Sequence, residues 1–203
     1  MKRYNNIFIK KILLAAGCSK RYGIKNKLTE NFKGKHLIEH IIHTLLKVFD
    51  PCELLVILGH DSKTIRDLID NIDIRIVNNE KYKNGIGTSI SLGIQHLETT
   101  AQGVMIIPAD MPLISAEDLM KLENEFIAHN CKKVVLPKYK YTIGNPVILP
   151  KSYFATLKNL KEDFGARSQI KEVDIVKVDC EIGTVFDIDT PKELVKAKIM
   201  VKV

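Results

Sequence analysis

The chain has 203 residues, 45% of them apolar and 27% charged, enough for one sizeable core and too few charges for an intrinsically disordered chain. No apolar stretch approaches the roughly 18 residues that span a bilayer, and the polar, basic start from Met1 to Lys11 lacks a secretory signal's long apolar region, so a soluble, cytoplasmic protein is expected. The net charge of +7 is uneven: residues 1–49 carry eleven Lys or Arg against Glu30 and Glu39, while the remainder holds 20 basic and 22 acidic residues, a pattern that suits an anionic ligand.

Strand-like and helix-like segments alternate along the chain. Ile12 to Ala15 is a short apolar run before a glycine-containing loop. Leu37, Ile38, Ile41, Ile42, Leu45 and Leu46 recur at helical spacing, and Pro51 ends that segment. Leu54 to Leu58 reads as a buried strand, and Ser62 as the cap of a helix carrying Ile65, Leu68 and Ile69. Ile74 to Val77 is the next strand, followed by a polar stretch from Asn78 to Thr88 and a helix bearing Ile90, Ile94 and Leu97. Val104 to Ile107 is a strand that runs into Pro108-Ala109-Asp110-Met111-Pro112. Ser115 and Asp118 have capping-box spacing at the start of a helix with Leu119, Leu122, Phe126 and Ile127. Val134 to Leu136 and Val147 to Leu149 are short strands around a Lys/Tyr-rich turn. A helical segment and the strand Ile175 to Val178 lead to Asp187-Ile188-Asp189-Thr190-Pro191, where Thr190, Pro191 and Glu193 open the last helix. This alternation predicts one Rossmann-like α/β domain over residues 1–203, a mostly parallel sheet with helices on both faces. Ligands of such sheets bind beyond the carboxyl ends of the strands.

Three groups of residues fall at those ends. The loop after the first strand, Leu14 to Leu28, combines small residues at Ala15, Ala16 and Gly17 with Ser19, Arg21 and Lys27. Small residues let a ligand approach the backbone, Ser19 and exposed amides can donate to phosphate, Arg21 can grip phosphate with its fork and Lys27 adds a point charge. The loop fits neither the Walker A nor the dinucleotide-binding glycine pattern, so it is either another phosphate cradle or a basic turn. Asp110, at the end of an apolar strand, is placed to hold Mg²⁺ or to stabilise a turn. Asp187 and Asp189 share a face if their segment is extended, although Asp189 also suits the start of the last helix. A basic loop facing carboxylates has the parts needed for metal-assisted transfer to a phosphate. Elsewhere, Cys18, Cys52, Cys131 and Cys180 are scattered thiols without zinc spacing, and His36, His40 and His43 read as a solvated helix face. Few aromatics accompany the basic quarter and no groove-binding motif is present, so no nucleic-acid partner is expected.

The loop Leu14-Ala15-Ala16-Gly17-Cys18-Ser19-Lys20-Arg21-Tyr22-Gly23 resembles the opening signature of the molybdenum cofactor nucleotidyltransferase family, L-A-A-G-x-S-x-R-x-G-x-x-K-x-L. Five further segments resemble that family in order. They are Gly85 to Ile94, Ala109 to Pro112, Ile143 to Val147, Asp163 to Arg167 and Asp187 to Pro191. The resemblance implies a Rossmann-like sheet, a nucleoside triphosphate, Mg²⁺ and a pterin phosphate acceptor, with a recipient molybdenum enzyme as a further partner. Leu14 to Gly17 matches the form associated with CTP. The resemblance also implies that Leu14, Ala15, Ala16, Gly17, Ser19, Gly87 and Ser89 bind nucleotide. Asn145 and Arg167 would orient the acceptor, and Asp110 with Asp187 would hold the metal. Three positions depart from the pattern: Asn26 stands at the usual lysine with Lys27 next to it, Asn145 at the usual histidine, and Glu162 at a glycine. The same chemistry on a sugar or alcohol phosphate, and a non-catalytic pterin or nucleotide carrier, are the alternatives.

Overall fold

The computed structural model describes residues 8–23 and 25–200, so most of the basic start lies outside the described residues. The elements follow the expected alternation. Strand β1 (Ile9–Ala15) leads through the short hairpin β2 (Asn31–Phe32) and β3 (Lys35–His36) to helix α1 (Leu37–Leu46). Then come β4 (Leu54–Leu58), α2 (Ser62–Ile69), β5 (Arg75–Asn78), α3 (Ile86–Gln95), β6 (Gly103–Pro108) and α4 (Ala116–Ala128). The chain continues through β7 (Val134–Tyr139), β8 (Thr142–Ile143), β9 (Val147–Pro150), the single turn α5 (Phe154–Leu157), β10 (Ile175–Asp179) and α6 (Pro191–Met200).

The main sheet has the order β10-β7-β9-β6-β1-β4-β5, with β8 added to β7. Strands β6, β1, β4 and β5 run parallel, and so do β7 and β10, whereas β9 is antiparallel to both of its neighbours. The turn after β7 reverses the chain through Lys140, at φ 54°, and this sends β9 back between β7 and β6. Alternating side chains divide the core. Leu13 and Ala15 of β1, Val56 and Leu58 of β4, and Met105 and Ile107 of β6 join Ile38, Ile41, Ile65 and Phe126 on one face. Ile12, Leu55, Ile57, Val104 and Ile106 join Ile90, Ile94 and Leu157 on the other. Phe32, Leu37, Ile188, Leu194 and Ala197 form a smaller cluster that seats α6 against the β2–β3 hairpin.

Two local expectations need correction. Ser62 does not cap α2: Asp61 takes the cap position in the left-handed region at φ 52°, and Ser62 is the first helical residue. The helix after Asn78 begins earlier than expected, at Ile86, because Gly85 at φ 100° turns the chain directly into it. The caps expected at Ser115 and Thr190 are present: Ser115 Oγ accepts from the Asp118 amide at 3.0 Å, and Glu193 Oε2 accepts from the Thr190 amide at 2.7 Å. No helix among the described residues is long and apolar enough to cross a membrane.

The chain leaves β1 towards β4 and β5 on one side and then returns to β6 on the other. The carboxyl ends of β1 and β6 therefore flank a topological switch point, where open parallel sheets form their ligand crevice. Leu14 pairs with Pro108 at the end of the β1–β6 ladder, and the Ala109 amide still donates to Leu14 O at 3.1 Å. Beyond that pair the two chains part.

Candidate active site

A cleft of ≈ 660 Å³ opens where they part. Its lining includes Leu14, Ala15, Ala16, Gly17, Ser19, Arg21, Lys27, Ser89 and Asp110, all singled out from the sequence. A Cβ placed on Gly17 would meet nothing within 4 Å, so the protein leaves open space there. A ligand can come up to that backbone without displacing a side chain.

The loop is held in shape by its own side chains. Asn26 is buried; its Oδ1 accepts from the Leu28 amide at 3.1 Å and from Ser19 Oγ at 3.3 Å, while its Nδ2 donates to His60 O at 3.4 Å. Ser19 Oγ in turn accepts from the Lys27 amide at 3.2 Å. The Ser19 hydroxyl thus bonds within the loop. By fixing the chain at Asn26, these bonds send Lys25 outward to solvent and Lys27 inward. Lys27 Nζ donates to Asp110 Oδ2 at 2.6 Å and to Asp189 Oδ1 at 2.8 Å. Arg21 pairs with the other Asp189 oxygen at 2.7 Å. Burial favours the neutral amine of Lys27, but the two carboxylates outweigh it and hold the ammonium above its usual range.

Asp110 is placed by β6 and fixed from behind, since its carbonyl accepts from the Ile188 amide at 2.9 Å. That bond joins the Asp187-Ile188-Asp189 segment to the end of β6, with Ile188 fully buried as its anchor. Asp110 Oδ1 is buried and has no hydrogen-bond partner among the described residues. An anionic oxygen left this way is costly unless a cation takes it. Asp187 is not among the residues that line the cleft. Desolvation and then the Asp110 carboxylate raise its carboxyl above the usual range, placing the two acids in one field. No group of three or more His, Cys, Asp or Glu side chains is arranged as a metal site among the described residues. Mg²⁺ needs only one or two carboxylates when phosphate oxygens and water complete its shell, and Asp110, with its unpartnered oxygen, could supply one. The three histidines do not converge: His36 and His43 bond to backbone carbonyls, and His40 packs edge-on to Phe32. The four cysteines are free.

Other sequence-selected residues lie around the cleft rather than in its lining. The Gly87 amide donates to Glu162 O at 2.8 Å, and a Cβ on Gly87 would fall 2.7 Å from Lys161 O. The glycine thus lets segment 161–163 close onto the start of α3, which brings Asp163 into the cleft. Asn145 and Arg167 come together outside that lining. The Arg167 guanidinium donates to Gly144 O and to Asn145 Oδ1, the latter at 3.1 Å, and the Asn145 amide donates to Thr184 O at 2.7 Å. Sequence reasoning did not select Tyr82, Lys83 or Asp163 as lining residues, and it assigned Asp189 no role at the loop cations. The polar, glycine-bearing stretch 78–88 was the available signal for the first two.

A basic loop that faces carboxylates across the switch point of a Rossmann-like sheet is the working arrangement of a nucleoside triphosphate transferase. The chain matches the family model described as MobA-like NTP transferase domain over residues 11–177, and it belongs to that family. It is 27% identical over 166 residues to the "Bifunctional protein GlmU" of Legionella pneumophila (strain Lens), covering 80% of this chain and 35% of that protein. The chain thus spans about a third of the length of that curated relative. Among solved structures, Rv0371c of Mycobacterium tuberculosis H37Rv superposes with TM-score 0.79 at 19% identity, over 95% of this chain and 97% of its own. The same protein has been solved as a complex with manganese. CTP:phosphocholine cytidylyltransferase of Streptococcus pneumoniae gives TM-score 0.70 at 17% identity, over 96% and 100% of the two chains. Molybdopterin-guanine dinucleotide biosynthesis protein A of Archaeoglobus fulgidus gives 0.65 at 21%, over 95% and 98%. At these identities the structural likenesses establish the fold.

Proposed function

We propose that this protein is a Mg²⁺-dependent nucleotidyltransferase that moves CMP from CTP to the terminal phosphate of a molybdenum-bearing pterin, releasing pyrophosphate. The observation that carries the transfer chemistry is the meeting of Lys27 and Arg21 with Asp110 and Asp189 in one cleft, with one Asp110 oxygen left unpartnered. In this reading the backbone of Leu14 to Gly17, with Ser89, receives the nucleotide, and Arg21 and Lys27 hold its β- and γ-phosphates. An oxygen of the acceptor phosphate attacks the α-phosphorus. The bond from that phosphorus to the bridging oxygen breaks, and pyrophosphate leaves with the electron pair. The nucleophile is already anionic near neutral pH, so no side chain has to remove a proton. The residues' task is positioning and charge neutralisation. Asp110 with Asp187 would hold Mg²⁺, which would supply positive charge against the negative charge that develops during transfer. Asn145, fixed by Arg167, would orient the acceptor.

The pterin assignment rests on the ordered run of six motifs, and the choice of CTP on Ala16. Ala16 lines the cleft, and its Cβ lies against Gly59, where an added Cβ would come within 2.8 Å. A methyl held this firmly narrows the space beside a purine, a misfit worth roughly 1–3 kcal/mol. An alcohol phosphate acceptor is the second reading, favoured by the likeness to the CTP:phosphocholine enzyme and by Asn145 at the usual histidine. Pyrophosphate release measured with each of the four NTPs, with molybdenum pterin, with phosphocholine or with neither, separates these readings. CTP with pterin is the expected pair. Equal turnover with GTP would remove the cytidylyl assignment, and release with phosphocholine alone would favour the second reading. CTP bound without release would indicate a carrier.

A further inference from the structure

We infer that Asp163 selects the acceptor: its carboxylate takes the two adjacent N–H groups of an amino-oxopyrimidine edge, such as a pterin presents. This rests on the nucleotidyltransferase reading above and adds a specificity-determining residue to it. The local chain is shaped around the placement of this side chain. At the start of α3 the Gly87 amide donates to Glu162 O at 2.8 Å, and Ser91 Oγ, about one turn on, donates to Lys158 O. Both glycines there make room for the approach. An added Cβ would fall 2.2 Å from the Glu162 carbonyl carbon at Gly85 and 2.7 Å from Lys161 O at Gly87. Glu162 itself is left-handed at φ 54°, a conformation that a non-glycine residue keeps where its surroundings enforce it. That turn brings Asp163 beside Gly85 and into the cleft lining.

Charge and shape say what the carboxylate can read. Asp110 and Asp189, the other two acids of the lining, each face a loop cation, whereas Asp163 has no ion-pair partner among the described residues. Such a carboxylate repels the phosphates of both substrates, so it favours a ligand that also brings N–H donors. Its two oxygens match two parallel N–H bonds, the bidentate form of a charge-assisted pair. A pterin's amino-oxopyrimidine ring offers that pair in its ring N–H and its amino group. Cytosine does not, because its amino group stands beside a ring nitrogen that accepts. Guanine does, so the same edge could come from an acceptor or from a purine nucleotide. The chain favours the acceptor. Asp163 runs on within four residues to Arg167, whose guanidinium donates to Gly144 O and Asn145 Oδ1, where the reading above places the acceptor. Ile86, 44% exposed and in the same lining, lies between the two glycines that touch this segment and offers apolar surface to a flat ring.

The test is a fluorescence titration of 6-hydroxymethylpterin phosphate, and of its lumazine counterpart with oxygen in place of the amino group, into the full chain and into Asp163→Asn. Steady-state kinetics with CTP and GTP and a thermal melt accompany it. The unsubstituted chain is expected to bind the pterin phosphate about tenfold more tightly than the lumazine phosphate, whose oxygen would face the carboxylate. Asparagine keeps the shape but offers one acceptor and one donor, so Asp163→Asn should bring the two ligands within about threefold, chiefly by weakening the pterin. KM for CTP, the Mg²⁺ half-saturation and the melting temperature should hold, since an exposed side chain is changed. Equal binding of the two ligands by the unsubstituted chain would overturn the inference, and needs no variant to fold. A preference that survives in Asp163→Asn would also overturn it. So would a loss confined to GTP, which would move the residue to a purine base, a raised KM for CTP with pterin binding unmoved, or a raised Mg²⁺ requirement. If the unsubstituted chain binds neither pteridine, the pterin reading itself fails and the inference with it, a result distinct from binding that ignores Asp163.

Discussion

At the residue scale, the inward turn of Lys27 decides which loop lysine matters. Lys27 is nearly buried and reaches two carboxylates, while Lys25 is exposed two residues earlier. Lys27→Ala is expected to lower kcat for pyrophosphate release about 10²- to 10³-fold, the usual cost of removing a preorganised donor from developing negative charge. Lys25→Ala is expected to stay within about twofold, because an exposed, screened charge contributes little. Steady-state kinetics of both variants check this, and the reverse ranking would place the working lysine at the wrong position. Asp110→Asn gives a complementary outcome. It keeps an oxygen for Lys27, so the melting temperature should hold within a few degrees, but it removes the charge from a carboxylate whose buried oxygen has no partner among the described residues. Turnover should nearly vanish at every Mg²⁺ concentration. Near-normal activity with unchanged Mg²⁺ dependence would leave Asp110 as a turn residue only.

At the element scale, the last helix shows how much was legible before any coordinates. Thr190, Pro191 and Glu193 announce its start, and the structure closes that box. The apolar runs of β1, β4 and β6 were equally plain, since strands buried on both faces need continuous apolar sequence. The direction of β9 was not legible, because burial alternates with the same period of two in parallel and antiparallel strands. Nor was the cap of α2, where a left-handed Asp61 displaces the more conventional Ser62. At the cleft, the loop and Asp110 could be read from strand ends, but Asp189 could not be assigned to the cations. Its partner Lys27 lies 162 residues away, and only the docking of Ile188 onto β6 brings the two together. Glu193 makes that docking testable. Partial desolvation raises its pKa, but hydrogen bonds from the Asp189 amide and the Thr190 hydroxyl and amide outweigh it and hold it below 4.5. A depressed carboxyl stabilises the fold above its unfolded value, and that stability is lost as pH falls through the folded value. Glu193→Ala is therefore expected to cost about 1 kcal/mol at pH 7, a typical capping loss, and progressively less below pH ~4.5. Urea midpoints of both proteins at pH 7 and in the acid range would show this, and a gap that does not narrow would mean that the charge plays no part.

At the scale of the whole molecule, chemistry and stability occupy opposite edges of the sheet. The cleft lies at the carboxyl end of β1, and a buried ionic cluster lies towards its other end. Lys11 shares the strand face of Ile9, Leu13 and Ala15, so its side chain enters the apolar core, where it is 1% exposed. There Nζ donates to Ile9 O at 2.9 Å, Glu53 at 2.9 Å and Glu123 at 2.6 Å, and it sits 3.9 Å from the centre of the Phe49 ring. One ammonium thus ties β1 to α4 and to the turn before β4. Burial raises the Glu123 carboxyl, Lys11 pulls it back, Glu53 raises it again, and the net position is above 4.5. Lys11→Met preserves the length and apolar stem but leaves two carboxylates facing each other without a cation. Removing one partner of a buried pair costs about 3–5 kcal/mol, and the remaining solvent contact of the two acids favours the lower figure. Without its cation, Glu123 should rise further. An acid whose folded value is raised destabilises the fold while ionised, so the penalty is full at neutral pH and shrinks as pH falls through that value. Chemical denaturation of Lys11→Met and the unsubstituted protein from pH 7.5 to pH 5 should therefore show a stability gap that closes towards acid. Adding Glu53→Gln and Glu123→Gln should recover most of it at pH 7. Wherever the variant is folded, KM for CTP should stay within about twofold, because the cluster is several residues from the cleft along a strand rising about 3.3 Å per residue. A gap of constant size across pH would show that lost packing of the lysine stem, rather than the stranded carboxylates, sets the cost.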